Sequence, residues 1–304
     1  MNKELFPDFL IIGAGKSGTT SLDNYLKQHP GIFMSALKEP NFFAMENMDE
    51  AEKQKNPYYR RCITDIKLYQ QLFEDAQAGQ IKGETSPMYL YNETAPARIK
   101  KYVPLAKLIA ILRHPVERLY SRYMHLAREE RLPTKEFSDA LDRNTIWWER
   151  GDLVKEGFFG KNLKRYFDIF PKEQIRVYLH EDLKKKPQEL ANDIFDFLGV
   201  PAQVEIDSSV EYNKSGFKKS KLYDNLVGHN SVIKRSAKKI LPNIYEKAKQ
   251  NVQLQQLVNS IQNKNLASPK LDPVLRKKML TEIYAKDIED LQGLIDRDLS
   301  HWLK

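Results

Sequence analysis

The chain has 304 residues, of which 41% are hydrophobic, 11% aromatic and 30% charged, so it can bury a full core and wholesale disorder is excluded. Its single cysteine, Cys62, and six histidines exclude an internal disulfide and the usual zinc spacings, and no apolar run approaches the roughly 20 residues that cross a bilayer or the roughly 7–15 of a signal-peptide core. We therefore expect a cytoplasmic protein, and its net charge of +8 suggests an anionic ligand or partner.

Short apolar strands alternate with helices in the first half of the chain. The run Asp8–Ile12 ends in glycines and predicts a buried strand, and a helical pattern follows it at Thr19–Gln28. A second strand is predicted at Gln80–Glu84. The run Lys107–Leu112, with the sequence KLIAIL, is continuous and apolar, which is typical of a central parallel strand. Helical spacing resumes at Val116–Ala127.

The alternation continues in the second half. A helix at Asn162–Phe170 is followed by a strand at Ile175–Leu179 and a helix at Glu189–Leu198. Strands that alternate with helices of about 10–15 residues indicate βαβ units. We therefore predict an α/β, P-loop-like three-layer fold, in which a central parallel sheet is flanked by helices, with a helical C-terminal part.

A single domain over residues 1–304 is the simplest account of this pattern. Residues 206–270 are irregular and basic, and residues 271–304 regain helical periodicity. Between Lys214 and Gln250, ten basic residues face two acidic ones. Within that stretch, residues 232–241 combine basic and apolar side chains and predict a short amphipathic helix. It could contact an anionic membrane or an acidic glycan, or it could be a solvated surface.

A glycine loop follows the first strand, with the sequence Gly13-Ala14-Gly15-Lys16-Ser17-Gly18-Thr19-Thr20-Ser21. Strand, glycine loop and helix form a phosphate cradle, because the helix N-terminus directs N–H groups at the anion. The spacing of the outer glycines matches the P-loop of nucleotide hydrolases, but threonine follows Gly18 where the P-loop has lysine. The lysine lies inside the loop instead. The loop is therefore expected to hold a 5′-phosphate rather than a β/γ-phosphate pair with magnesium.

The strand KLIAIL ends in Arg113-His114-Pro115. A P-loop ATPase has an aspartate for Mg²⁺ after the corresponding strand. An arginine there suits a second phosphate and repels a metal ion. We therefore expect two phosphate sites and no bound metal.

These motifs resemble those of sulfotransferases that use 3′-phosphoadenosine 5′-phosphosulfate (PAPS). GAGKSGTTSL is similar to the family's 5′-phosphosulfate loop, and LIAILRHPVERLYSRYMH to its 3′-phosphate motif. Weaker matches follow in the family's order at Lys38–Phe43 and Gly83–Tyr89, in the late segment NKSGFKKSKL and in the ending RDLSHW. The pattern is closer to bacterial and glycan sulfotransferases than to those acting on phenols and steroids.

The resemblance implies a role for each matching residue. Lys16 would neutralise charge on the leaving phosphate, and Glu39 would be the base. The phosphate contacts that the resemblance implies are Ser17, Gly18, Thr19 and Thr20 for the 5′-phosphate, and Arg113, Ser121, Ser215, Gly216 and Lys219 for the 3′-phosphate. Glu84 and Tyr89 are candidates for acceptor contact. Two positions depart from the family pattern: Thr85 stands where many glycosaminoglycan enzymes have lysine, and Lys219 where arginine is usual.

The function expected from the resemblance is transfer of a sulfuryl group from PAPS to a hydroxyl or amino group of a carbohydrate, glycolipid or other small alcohol or amine. A P-loop kinase for a small molecule fits the fold, but the chain lacks the lysine after Gly18 and the acid after KLIAIL. A non-catalytic basic module that binds nucleic acid would leave both phosphate motifs unused, so no nucleic-acid partner is expected.

Overall fold

The computed structural model describes residues 5–55, 59–209, 216–218, 266–267 and 269–304. The predicted phosphate contacts Ser215 and Lys219, and the predicted amphipathic helix at 232–241, lie outside the described residues. Within the described residues, no helix is long and apolar enough to cross a membrane.

Five parallel strands form the central sheet, in the order β2-β3-β1-β4-β5. The strands are β1 (Phe9–Gly13), β2 (Ile32–Met34), β3 (Ile81–Thr85), β4 (Lys107–Leu112) and β5 (Ile175–Leu179). A separate antiparallel pair joins β6 (Phe217–Lys218) to β7 (Leu266–Ala267). The predicted bounds of β4 and β5 are those of the structure, and those of β1 and β3 differ by one residue. The edge strand β2 is three residues long, too short to give an alternation signal.

Helices connect the strands and follow the last of them. Those before β4 are α1 (Thr19–Leu26), α2 (Phe42–Met45), α3 (Glu50–Lys55), α4 (Ile66–Gln71), α5 (Met88–Tyr91) and α6 (Ala95–Tyr102). Those after β4 are α7 (Pro115–Arg128), α8 (Ile146–Glu149), α9 (Phe159–Phe167), α10 (His180–Lys185), α11 (Pro187–Leu198), α12 (Pro273–Met279) and α13 (Ala285–Ile295). Short 3-10 turns occur at Tyr59–Arg61, Phe137–Leu141, Lys155–Gly157, Lys172–Gln174 and Ser300–Leu303.

The side chains of the central strands alternate between two cores, one on each face of the sheet. Phe9 and Ile11 of β1 pack with α1 and α11, whereas Leu10 and Ile12 pack with α7, α9 and the C-terminal helices. All four side chains are fully buried. Burial of such a side chain contributes about 1.5–3 kcal/mol. The predicted α/β architecture, a parallel sheet between two helical layers, is confirmed.

The helical C-terminal part is also confirmed, although it is divided rather than one continuous helix. A π-helical turn at Leu280–Tyr284 separates α12 from α13, and Asp296 ends α13 in the left-handed conformation (φ 52°). The segment after α13 returns to the sheet. There Arg297 makes two hydrogen bonds of 2.7 Å to the carboxylate of Asp182 in α10, and His114 Nε2 donates to the Trp302 carbonyl at 3.0 Å.

Candidate active site

The glycine loop and Arg113 leave the sheet at the same edge. Their strands β1 and β4 are parallel neighbours, with Gly13 paired with Ala110, and Ala14 N donates to the Ile111 carbonyl at 2.8 Å. Crevices outside the carboxyl ends of parallel strands are where open α/β sheets bind ligands. The two phosphate motifs of the sequence therefore lie side by side.

The backbone of the loop is shaped by left-handed residues. Gly18 caps α1 with φ 107°, and a Cβ there would lie 2.6 Å from Leu183 Cδ2, so glycine is required on both counts. Lys16 also has a positive φ, 65°. On the far side of the loop, His180 Nδ1 donates to the Ser17 carbonyl at 2.9 Å. Burial lowers the pKa of His180 to about 4, so this ring is neutral at physiological pH.

Two of the expected phosphate contacts have a buried polar atom with no hydrogen-bond partner among the described residues. These atoms are Ser17 Oγ and Arg113 Nε. Ser17 is fully buried, and the Arg113 guanidinium contacts Glu117 at 3.5 Å. Donors left without a partner are costly, and an anion seated in the crevice would satisfy both. Of the other expected phosphate contacts, Thr19 and Ser121 are buried and Thr20 is half-buried.

Lys16 lies in a cluster of positive charge. Loss of solvent lowers its pKa to about 7, and Arg128, Arg122 and Arg113 all act in the same direction. The carboxylate of Glu39 opposes them. Arg113 also lowers the pKa of His180, which places this arginine close to the loop as well. Such an accumulation of cations favours an anionic ligand of more than one charge.

Glu39 follows β2 and lies close enough to Lys16 to raise its pKa. Its backbone is left-handed (φ 61°), and its N–H donates to the Thr85 carbonyl at 2.9 Å. Its carboxylate is about one-third exposed and accepts a hydrogen bond from Lys38 Nζ at 3.1 Å. The structure thus brings both predicted catalytic residues, Lys16 and Glu39, to one crevice.

Asn41 and Ser86 fix the backbone that carries Glu39. Asn41 Nδ2 donates to the Glu39 carbonyl at 3.0 Å, and Asn41 N donates to Ser86 Oγ at 3.0 Å. Ser86 Oγ in turn donates to Glu84 at 2.8 Å. A relay of three hydrogen bonds therefore runs from the core to the candidate base.

Glu84 and Tyr89, the candidates for acceptor contact, are both buried. Their relative exposures are 1% and 0%, and Tyr89 Oη donates to Glu84 at 2.6 Å. Burial raises the pKa of Glu84 to about 7, although hydrogen bonds from Tyr89, Ser86 and Tyr69 favour its ionised form. In this arrangement Glu84 is linked through Ser86 and Asn41 to the backbone of Glu39, and Tyr89 holds the Glu84 carboxylate.

Other positions within the sequence motifs have internal partners. Thr85, where a lysine was noted as missing, donates its hydroxyl to Asp23 at 2.7 Å. His125 Nδ1 accepts a hydrogen bond from Arg128 at 3.0 Å, and burial, with nearby cations, lowers its pKa to about 2. Gly216 is buried beside Phe217, whose ring lies 5.8 Å from that of Tyr123 in α7. The late segment therefore approaches the helix that carries Ser121.

Two residues of the site, Glu156 and Arg118, were not predicted from the sequence. Glu156 Oε1 accepts the Gly15 N–H at 2.6 Å, and Arg118 forms a buried ion pair with Glu156 at 2.8 Å. Arg118 and Arg122 are four residues apart on α7, a spacing that places both on one helix face. The spacing of the two arginines is visible in the sequence, but Glu156, which contacts the loop, lies 141 residues from Gly15. Across the described ranges, no group of three or more histidine, cysteine or acidic side chains is placed to hold a metal ion.

Comparison with known proteins identifies the family of the chain. The model of the sulfotransferase family matches residues 7–204, which is most of the chain. The chain belongs to the sulfotransferase family. This sulfotransferase is 29% identical in sequence to a sulfotransferase from Alicyclobacillus acidocaldarius of known crystal structure. The two structures superpose over 98% of this chain and 99% of the other chain, with a TM-score of 0.71. The strand order and the helical C-terminal part are therefore those of a known sulfotransferase fold.

Relatives of known name act on heparan sulfate. The mouse bifunctional heparan sulfate N-deacetylase/N-sulfotransferase 3 is 27% identical over 216 residues, which are 68% of this chain and 24% of that protein. The human heparan sulfate glucosamine 3-O-sulfotransferase 3B1 is 29% identical over 215 residues, which are 69% of this chain and 50% of that protein. This sulfotransferase thus spans between a quarter and a half of the length of these relatives.

Proposed function

We propose that this sulfotransferase transfers a sulfuryl group from PAPS to a hydroxyl or amino group of an acceptor. The observation that carries the proposal is the cationic crevice at the carboxyl ends of β1 and β4. There Lys16, with its pKa lowered to about 7, lies among three arginines. A donor with phosphates at both its 5′ and 3′ positions would supply the opposing charge, and it would give Ser17 Oγ and Arg113 Nε the acceptors that they lack among the described residues.

The chain's own residues divide between the two phosphates of this donor. The N-terminus of α1 contributes N–H groups and a partial positive charge to the 5′ side. The residues proposed for the 5′ side are Lys16, Ser17, Gly18, Thr19 and Thr20, and those for the 3′ side are Arg113, Ser121, Ser215, Gly216 and Lys219. No metal ion is needed, because the arginines and Lys16 provide the charge that magnesium would provide in a kinase.

Lys16 and Glu39 are the proposed catalytic pair. The donor supplies an activated sulfuryl group, and negative charge grows on the phosphate that it leaves. A cation placed where that charge develops stabilises the transition state more than the ground state. Glu39 would take the proton from the acceptor, a contribution of about 10²–10⁴-fold in rate. The hydrogen bond from Lys38 Nζ, at 3.1 Å, orients the Glu39 carboxylate.

A carbohydrate or glycolipid is the proposed acceptor, although another small alcohol or amine fits the same chemistry. The named relatives that act on heparan sulfate support a sugar acceptor, and at 27% and 29% identity they leave the position sulfated open. A kinase reading is disfavoured, because Thr19 stands where the P-loop lysine belongs and Arg113 where the magnesium-binding acid belongs. A cytoplasmic location, a single domain over 1–304 and membrane contact through 232–241 remain proposals.

The first test is cofactor binding. Adenosine 3′,5′-bisphosphate at 100 times its dissociation constant should stabilise the fold by about 2.7 kcal/mol, with no change on adding EDTA. ATP with Mg²⁺ serves as the control and should have little effect. Stabilisation by ATP that depends on Mg²⁺, without stabilisation by the bisphosphate, would refute the assignment.

The second test is turnover. The wild-type protein should transfer labelled sulfate from PAPS to at least one member of a panel of sugars, glycolipids and amines. Glu39→Gln keeps the shape of the side chain but cannot accept a proton. We expect its kcat to fall by a factor of 100 or more, while its affinity for the bisphosphate stays within about twofold of wild type. Turnover equal to wild type would exclude Glu39 as the base.

A further inference from the structure

The carboxylate of Glu156 supports the glycine loop from the side that faces the core. Glu156 is only 3% exposed and lies in the 3-10 turn Lys155–Gly157. Its Oε1 accepts the N–H of Gly15 at 2.6 Å. A Cβ on Gly15 would lie 2.9 Å from that oxygen, so the close approach requires glycine. The residue next to this contact is Lys16, in its left-handed conformation.

A buried arginine holds Glu156 in place. Arg118 has no exposed surface, and its Nη1 donates to Glu156 Oε2 at 2.8 Å. The same guanidinium donates to the carbonyls of Asp152 and Leu153. Both carboxylate oxygens are thus occupied, one by the loop and one by the arginine. A buried ion pair with this many hydrogen bonds is rigid, and removal of one partner is costly.

The contact with Glu156 fixes the backbone position from which the Lys16 side chain extends. The Gly15 N–H is directed towards the core, so it is not one of the donors that point at the crevice. The path of the loop then places the Lys16 ammonium within range of Arg113, Arg122 and Arg128. An unsupported loop could relax and let the ammonium move away from these like charges. The like-charge cluster is therefore a strained arrangement that a rigid support must maintain.

We propose that Glu156 is the positioning residue for Lys16, holding it through the Gly15 N–H in the geometry needed for sulfuryl transfer. The inference rests on the proposed function for its catalytic consequence. Its structural part, the placement of Lys16, can be measured without any donor. Glu156 does not touch the reacting atoms, so it acts only through the loop.

The first measurement uses the ligand-free protein. A lysine with a lowered pKa reacts faster with an amine-selective acylating reagent near neutral pH than ordinary lysines do. Glu156→Gln should slow the labelling of Lys16 at pH 7.5 at least fivefold, because the ammonium moves away from the arginines and its pKa rises. Loss of a negative charge by itself would have the opposite effect on the pKa. Labelling of Lys16 at the wild-type rate or faster would overturn the proposal.

Asp287→Asn is the matched control. Asp287 is a half-buried carboxylate that also accepts backbone N–H groups, from Gly160 at 2.9 Å and Lys161 at 2.8 Å, which belong to α9 rather than to the glycine loop. This control should leave Lys16 labelling unchanged. If Glu156→Gln does not fold, Gly15→Ala serves instead, because its Cβ would lie 2.9 Å from Glu156 Oε1 and disrupts the contact with the loop while both Glu156 and Arg118 are kept. It should slow labelling in the same way, and an unchanged rate would again overturn the proposal.

The second measurement is a double-mutant cycle on turnover. Glu156→Gln should lower kcat at least tenfold while the dissociation constant of adenosine 3′,5′-bisphosphate stays within about threefold. In a Lys16→Ala background the same substitution should change kcat less than twofold, because its effect passes through Lys16. An equal loss in both backgrounds would overturn the positioning role. If Glu156→Gln slows the labelling of Lys16 but the wild-type protein transfers no sulfate, the proposed function is refuted and the placement of Lys16 by Glu156 is retained.

Discussion

The pKa of Lys16 makes a prediction about cofactor binding. In the free protein this pKa is about 7, because the side chain is desolvated and surrounded by arginines. Bound phosphate favours the ammonium and raises the pKa, so above pH 7 binding must take up a proton. We therefore expect affinity for adenosine 3′,5′-bisphosphate to fall from pH 7 to pH 9, by up to about tenfold per pH unit.

Calorimetric titration in two buffers of different ionisation enthalpy measures this proton uptake. Lys16→Met removes the titrating group and should bind the bisphosphate with little dependence on pH over the same range. Equal proton uptake by the wild type and the variant would assign the titration to another group.

Arg113 should contribute affinity rather than turnover. Its Nε has no partner among the described residues, and its contact with Glu117 is long, at 3.5 Å, so the guanidinium is available for a phosphate. Arg113→Ala should weaken binding of the bisphosphate by about 2–4 kcal/mol, since a charge-assisted contact is lost. Arg276 is also within 4.0 Å of Glu117, so Arg276→Ala is a control that should leave the affinity nearly unchanged. Calorimetry on both variants decides the matter.

Among the elements, the turn between β3 and α5 is expected to affect catalysis through Glu39. Ser86→Ala removes the hydroxyl that links Glu84 to Asn41. The backbone of Glu39 then loses its support, and kcat should fall about tenfold or more while bisphosphate affinity is retained. The adjacent Thr85→Val removes a buried hydroxyl that donates to Asp23 instead, and kcat should change little. Steady-state kinetics in which both variants lose activity equally would contradict a relay to Glu39.

The central elements were predictable and the short ones were not. The strand β4 is continuous and fully apolar apart from its first residue, and its predicted bounds are those of the structure. The helices α2, α5 and α8 have four residues each and are held by tertiary packing, so they carry no periodicity. The glycine loop and Arg113 were identified because each follows a strong strand. Glu156 was not, because its contact with Gly15 depends on how distant segments pack.

For the molecule as a whole, the C-terminal segment should stabilise the phosphate crevice from outside it. Arg297 pairs with Asp182 in α10, and the first residue of α10, His180, holds the Ser17 carbonyl. Arg297→Ala removes a bidentate pair that is about one-third exposed and should lower Tm by about 2 °C. It should also weaken bisphosphate binding, by about two- to fivefold, through the loosened helix.

Lys286→Ala is the control for the Arg297–Asp182 ion pair. Its ion pair with Asp290 lies on one helix face and is highly exposed, so Tm and affinity should both stay at wild-type values. Thermal unfolding with and without the bisphosphate measures both effects. If Arg297→Ala lowered Tm but left the affinity unchanged, the Arg297–Asp182 ion pair would contribute to stability and not to bisphosphate binding.

The strand order has a consequence for synthesis on the ribosome. The central strand β1 ends at Gly13, but its two neighbours begin only at Ile81 and Lys107. At about 5–20 residues per second, this apolar strand waits about 5–20 s for both partners to be made. During that interval it is a free sheet edge, exposed to chaperones and to aggregation. The glycine loop and Arg113 cannot form one binding site before β4 has been synthesised. The nucleotide therefore cannot bind and stabilise a nascent chain until more than a third of the chain has been translated.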